Sequence, residues 1–155
     1  MKVLITGGAG YVGTKLVKHL VGRPEIDHII IYDNLSKGHF NFFLGNEFDH
    51  GEKLTAFQGD ILDTRQLKKI MKDVDVVVHL AAIVTTPFAN TDPHFYEQVN
   101  HWGTAEVVYA AEESDISKFI YLSSTSVYGA SDEMSNEETT PATSTFYGIS
   151  KLRGE

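Results

Sequence analysis

Thr6-Gly7-Gly8-Ala9-Gly10-Tyr11-Val12-Gly13 carries glycines at positions 7, 10 and 13, a spacing of G-x-x-G-x-x-G. Before it, Lys2-Val3-Leu4-Ile5 is a short apolar run of strand character. After it, Val12, Leu16, Val17 and Leu20 form an apolar stripe at helical spacing over Tyr11 to Gly22, with Gly22 and Pro24 as stop signals. The segment therefore reads as a strand, a glycine-rich turn and the first turn of a helix.

The same alternation continues along the chain. Lys2–Thr6, His28–Tyr32, Lys53–Gln58, Asp75–Leu80 and Lys118–Ser123 read as strands. The first two and last two are nearly continuous in apolar residues, as in strands buried on both faces of a parallel sheet. Asp63 with Gln66 opens a helix carrying Leu67, Ile70 and Met71. Asp92-Pro93 opens a long helix to about Glu113, with Tyr96, Val99, Gly103, Val107 and Ala110 on its packing face. Strands alternating with helices predict an α/β, doubly wound parallel sheet. Residues 34–52 fit no long element, and Phe40, Phe42, Phe43 and Phe48 are expected to cover the sheet. Residues 129–146 read as a loop, with Asp132, Glu133, Glu137 and Glu138 solvated on it.

Composition bounds the possibilities. A chain of 155 residues, 42% hydrophobic and 22% charged, reads as a single domain over 1–155. With no cysteine, it has no disulfide framework, thiolate chemistry or cysteine-bound metal. Its seven histidines form no His-x-His or His-Glu-x-x-His pair, so no metal is expected. A net charge of −8 argues against a nucleic-acid or anionic-membrane partner. No apolar run approaches the roughly 20 residues of a membrane span, and the N-terminus lacks the pattern of a signal peptide. A cytoplasmic location is expected.

Between a strand and a helix, the glycine turn permits close approach of the backbone to a pyrophosphate, which the amides and dipole of the helix N-terminus would then face. Asp33 ends the second strand, 20 positions after Gly13. An acid there accepts from the ribose hydroxyls of an adenosine and repels a 2′-phosphate, favouring NAD over NADP; Lys37 tempers that discrimination. The alternative for Asp33 is initiation of the turn Asp33-Asn34-Leu35-Ser36. Tyr147 and Lys151, four apart, share one face of a helix. A phenol ordinarily titrates near 10, and an adjacent ammonium favours its phenolate, the form that acts as a base. Ser124, at the end of the fifth strand, is placed to hydrogen-bond a reacting oxygen. His79 on a buried strand end reads as a structural histidine, Tyr128 as packing beside Ser124, and Trp102 as core or interface.

Seven ordered segments resemble one family: Thr6–Gly13, Asp33-Asn34-Leu35, Gly59-Asp60-Ile61, His79-Leu80-Ala81-Ala82, Asn100 with Gly103-Thr104, Ser123-Ser124 with Val127-Tyr128-Gly129, and Tyr147-Gly148-Ile149-Ser150-Lys151. They resemble the N-terminal half of the extended short-chain dehydrogenases/reductases, in the NAD-dependent epimerase/dehydratase family, and within it the nucleotide-sugar epimerases. The resemblance implies a Rossmann sheet of five strands in order 3-2-1-4-5, with ligands at the carboxyl ends of the strands. It implies NAD held by Gly7, Gly10, Tyr11, Val12, Gly13, Asp33, Asn34 and Leu35. Asp60 and Ile61 would hold the adenine, while Leu80, Ala81 and Ala82 line the dinucleotide path and Asn100 supports the site. Ser124 and Tyr147 would act on a sugar hydroxyl, with Lys151 on the nicotinamide ribose.

Family members are longer. Their C-terminal substrate domain is absent from this sequence, so a truncated chain is expected, with the last helix short. Homodimerisation through the helices after strands four and five is expected in a weakened form. Dehydratases of the family place Asp-Glu directly after the active-site hydroxyl residue, where this chain has Thr125 and Ser126, so dehydration is disfavoured. Three readings stay open: a nucleotide-sugar epimerase, a dinucleotide-binding module without catalysis, and an NAD(P)-dependent reductase of the same family.

Overall fold

Five short strands form one parallel sheet in the computed structural model, which describes residues 1–40, 53–85, 89–132 and 134–155. They are β1 (Lys2–Thr6), β2 (His28–Asp33), β3 (Leu54–Gln58), β4 (Val76–His79) and β5 (Lys118–Tyr121), in the spatial order β3-β2-β1-β4-β5. The expected order is the observed one. The chain reverses direction across the sheet between β1 and β4, and the carboxyl ends of these strands open a crevice there. The register aligns Tyr32, Thr6, His79 and Tyr121 in one row across four strand ends.

Alternate strand residues feed two cores. Val3, Ile5, Ile29 and Ile31 pack with Val17 of α1 (Tyr11–Leu20) on one face. Leu4, Ile30 and Val77 pack on the other face with Leu67 and Met71 of α2 (Thr64–Met71) and Val107 of α4 (Gly103–Glu112). The run of consecutive apolar residues in β1 and β2 follows from burial on both faces. Asp63 caps α2 by accepting from the Gln66 amide at 3.1 Å, and Asp92 caps α3 (Pro93–Tyr96) by accepting from Phe95 at 3.1 Å.

Four features of the fold depart from the sequence reading. First, the long helix is interrupted: α3 runs into a π-helical segment, Glu97–Trp102, before α4. The amide of Gly103 donates to Gln98, five residues back. Second, β5 is not buried on both faces: its burial alternates and Ile120 is 42% exposed. Among the described residues it pairs with β4 alone and forms an edge of the sheet. Third, Phe40 is 44% exposed and does not cover the sheet; Phe42, Phe43 and Phe48 lie outside the described residues, as does Glu133. Fourth, Trp102 is 55% exposed, which removes the core reading and leaves the interface one. The last helix, α5 (Phe146–Arg153), packs on α3, on the π segment and on a 3-10 turn at Thr125–Tyr128. Among the described residues no helix is long and apolar enough to cross a membrane.

Candidate active site

A cleft of about 700 Å³ lies at the carboxyl ends of the strands, running from the glycine turn to α5. Gly7 has φ +68°, and a Cβ there would lie 2.6 Å from the Ala81 amide nitrogen. A Cβ at Gly13 would lie 2.5 Å from Gly8, so the helix approaches the turn more closely than any side chain permits. Gly10 is the N-cap of α1 and no side chain caps it. The positive end of that helix therefore faces the cleft beside Tyr11 and Val12, which line it. A backbone cradle of this kind fits a pyrophosphate.

Asp33 lines the cleft and also braces it. Its Oδ2 accepts from the Ala9 amide at 3.0 Å and its Oδ1 from the Leu35 amide at 2.8 Å. The carboxylate thus fixes the glycine turn and holds Leu35 at φ 59°, which is the turn reading of Asp33. Each oxygen keeps a further lone pair for a ribose hydroxyl. Asn34 donates to Asp60 Oδ2 at 3.2 Å, and Asp60 Oδ1 accepts from Leu62 at 3.0 Å. Beneath them Tyr32 donates to the Asp60 carbonyl at 2.8 Å. Its ring fills the space where a Cβ of Gly59 would sit 2.4 Å away. Burial, and secondly the charges of Asp63 and Asp60, push the Tyr32 phenol up to about 12. Asn34, Leu35, Asp60 and Ile61 all line this end of the cleft.

On the opposite wall Leu80, Ala81 and Ala82 follow β4. His79 is buried, as expected of a structural histidine, and both ring nitrogens are engaged. Nδ1 lies 2.6 Å from Thr6 Oγ1 and Nε2 lies 3.0 Å from Thr104 Oγ1. Thr104 spends its own proton on the Asn100 carbonyl at 2.7 Å. Nε2 must therefore be the donor and Nδ1 the acceptor, which assigns a neutral tautomer. Burial, and secondly the Lys151 charge, pushes its pKa down to about 3.

Tyr147 and Lys151 lie on one face of α5, both buried and both lining the cleft. The N-cap Thr145 accepts from the Gly148 amide at 3.0 Å, starting the helix just ahead of Tyr147. Tyr147 packs against Tyr96 in a T-shaped pair, with ring centroids 6.5 Å apart, and the Tyr96 hydroxyl donates to the Thr85 carbonyl. Burial lowers the Lys151 pKa to about 8, partly offset by Glu155. Asn100 is fully buried in the π segment rather than on the cleft wall. It accepts from Ile83 N at 2.8 Å and donates to Ile83 O and Ser150 Oγ, each at 3.0 Å. Ser124 departs from its expected place. Its Oγ caps the 3-10 turn, 3.2 Å from Ser126 N and 2.8 Å from Ser126 Oγ, while Ser123 lines the cleft.

Sequence reading missed Tyr32, Thr6, Thr104, Ser150 and Tyr121. Thr6, Thr104 and Ser150 lie inside the family-like segments, and the strand-end positions of Tyr32 and Tyr121 are the available signal.

Residues 3–155 match the NAD dependent epimerase/dehydratase family. The chain is 35% identical to the UDP-glucose 4-epimerase of Erwinia amylovora, an alignment covering 100% of this chain and 47% of that one. It is 32% identical to the dTDP-D-glucose 4,6-dehydratase of Mus musculus, covering 99% of this chain and 44% of that one. The UDP-glucuronic acid 4-epimerase of Bacillus cereus, solved with UDP-glucuronic acid and NAD, superposes with TM-score 0.85 at 31% identity, covering 99% of this chain and 50% of that one. This chain thus spans about half the length of the curated relatives it matches, and it belongs to the NAD dependent epimerase/dehydratase family.

Proposed function

We propose that residues 1–155 form the NAD-binding Rossmann domain of a nucleotide-sugar epimerase of the UDP-glucose/UDP-galactose 4-epimerase kind. The observation that carries this reading is the burial of Tyr147 and Lys151 in the same cleft that begins at the uncapped glycine turn. The turn from Gly7 to Gly13 would cradle the pyrophosphate. Asp33, Asn34 and Leu35 would hold the adenosine ribose, with Asp60 and Ile61 at the adenine. Leu80, Ala81 and Ala82 would form the wall leading to the nicotinamide.

NAD, when bound, supplies a reversible hydride acceptor for a sugar carbon. The work of the chain is to manage the proton. Tyr147 takes the proton of the sugar hydroxyl at its phenolic oxygen and later returns it. The Lys151 ammonium, four positions on along the same helix face, donates to a ribose hydroxyl. Ser124 exchanges its contact with Ser126 for the sugar oxygen, and Asn100 holds α5 in register behind both residues.

Thr125 and Ser126 follow Ser124 without a carboxyl group, so this chain lacks the acid–base pair suited to water elimination. That favours epimerisation over dehydration. The exposed aromatic rings of Trp102 and Tyr109, on the helix after β4, support a homodimer through that helix and α5. The nucleotide-sugar substrate implies the cytoplasm.

In a full-length form, UDP-glucose and UDP-galactose should interconvert with no net NADH consumption. Tyr147→Phe should lower the rate by roughly 10²-fold or more. Steady NADH consumption on a carbonyl would instead identify a reductase, and no turnover together with NAD binding would identify a non-catalytic module.

A further inference from the structure

Tyr121 belongs to none of the motif positions assigned above, yet it touches the lysine of the site twice. It ends β5, and its ring lies under the Lys151 ammonium, with Nζ 4.2 Å from the ring centroid. Its hydroxyl donates to the Lys151 carbonyl at 3.1 Å. That carbonyl is in the last turn of α5 and also accepts from the Gly154 amide at 3.1 Å. One side chain therefore engages both the head group and the main chain of the same residue.

The ring is itself held in place. Its other neighbour is the neutral His79 imidazole, stacked at 5.8 Å with an interplanar angle of 23°. His79 in turn is fixed between Thr6 and Thr104. At the hydroxyl end, a Cβ on Gly154 would lie 2.6 Å from the Tyr121 oxygen, so glycine there leaves the phenol its room.

We infer that Tyr121 is a positioning residue for Lys151: its ring face supports the ammonium as a cation and aims it into the cleft. The physical case rests on what the alternatives would do. A buried ammonium needs compensation for its lost water. A carboxylate would supply it, but would occupy the N–H donors. An aromatic face attracts the cation through its quadrupole and accepts no conventional hydrogen bond. The N–H donors that do not face the ring stay available for hydroxyls in the cleft. The titratable groups around Lys151 are Tyr121 from β5, His79 from β4, Tyr147 on its own helix and Glu155 at its end. His79 is neutral, and Glu155 is exposed and also accepts from Ser123. The ring is the support packed directly against the head group.

The use made of Lys151 rests on the proposed function; the placement of its ammonium over the ring does not. The test is NMR on the 155-residue chain with carbon-13-labelled lysine. In the wild type, the Lys151 ε-protons should be displaced upfield by the Tyr121 ring current. Tyr121→Phe should keep that displacement and the titration midpoint of Lys151. Tyr121→Leu should abolish the displacement and lower the midpoint by roughly 0.4–1.5 units. NAD should bind Tyr121→Leu about three- to tenfold more weakly than Tyr121→Phe. Unshifted ε-protons in the wild type, or equal midpoints in Phe and Leu variants, would overturn the inference. The wild-type spectrum decides this even if Tyr121→Leu does not fold. A wild type that binds no NAD would overturn the proposed function while the titration still decides the role of Tyr121.

Discussion

The side-chain amide of Asn100 donates to the Ser150 hydroxyl at 3.0 Å across 50 positions of chain, tying the π segment to α5 between Tyr147 and Lys151. The π turn supplies the extra residue that brings Asn100 into this position, and Ser150 passes the link on by donating to the Tyr147 carbonyl at 2.8 Å. Asn100→Leu leaves the partly buried Ile83 amide and carbonyl, and the buried Ser150 hydroxyl, without their Asn100 partners. The expected cost is roughly 1–3 kcal/mol, read from urea unfolding, together with weaker NAD binding by the folded variant. A stability change under 0.5 kcal/mol, about the range for surface substitutions, would contradict this role.

Lys151 makes stability depend on pH in a defined direction. Its folded-state pKa of about 8 lies below the ordinary 10.5. Below pH 8 the lysine is charged in both states and the burial penalty is carried in full. Between 8 and 10.5 the unfolded chain holds a proton that the folded chain has released, so this group's contribution rises with pH. Lys151→Met should be more stable than wild type by roughly 1–3 kcal/mol below pH 8, with the gap closing from 8 to 10.5. Thermal unfolding of both proteins across that range checks it.

His79 works at the opposite end of the scale. Its folded pKa of about 3 lies below the ordinary 6.5. Its stabilising contribution is complete above 6.5 and is lost as pH falls from 6.5 towards 3, by up to about 1.4 kcal/mol per unit. Nitrogen-15 NMR of the imidazole should show the neutral tautomer with its proton on Nε2 at pH 5. A ring that protonates near 6.5 in the folded chain would contradict the assignment.

Gly7→Ala places a Cβ at φ +68° and 2.6 Å from the Ala81 amide nitrogen. The left-handed conformation alone costs about 1–2 kcal/mol, and the backbone contact adds to it. The variant should unfold at lower urea and bind NAD at least tenfold more weakly than wild type. Unchanged affinity would remove Gly7 from the cradle.

Most of the sheet was legible because the apolar runs of β1 and β2 and the glycines after β1 obey local rules. The π segment was not, since one added residue in a helix leaves the three- and four-residue spacing of Tyr96, Val99, Gly103 and Val107 readable as a plain α-helix. Ser123 and Ser124 show a second limit: which of two adjacent serines faces the cleft depends on the 3-10 turn that follows. The partners of His79 and the platform beneath Lys151 come from register across strands far apart in sequence. A single strand's pattern shows that a residue is at a strand end, but not what lies beside it.

The most direct test is calorimetric titration of the folded 155-residue chain with NAD and, separately, with NADP. The cleft and Asp33 predict saturable binding of NAD with one site per chain, and NADP weaker by at least tenfold, a difference of about 1.4 kcal/mol. A folded chain that binds neither nucleotide, or binds both equally, would contradict the assignment of this cleft to NAD.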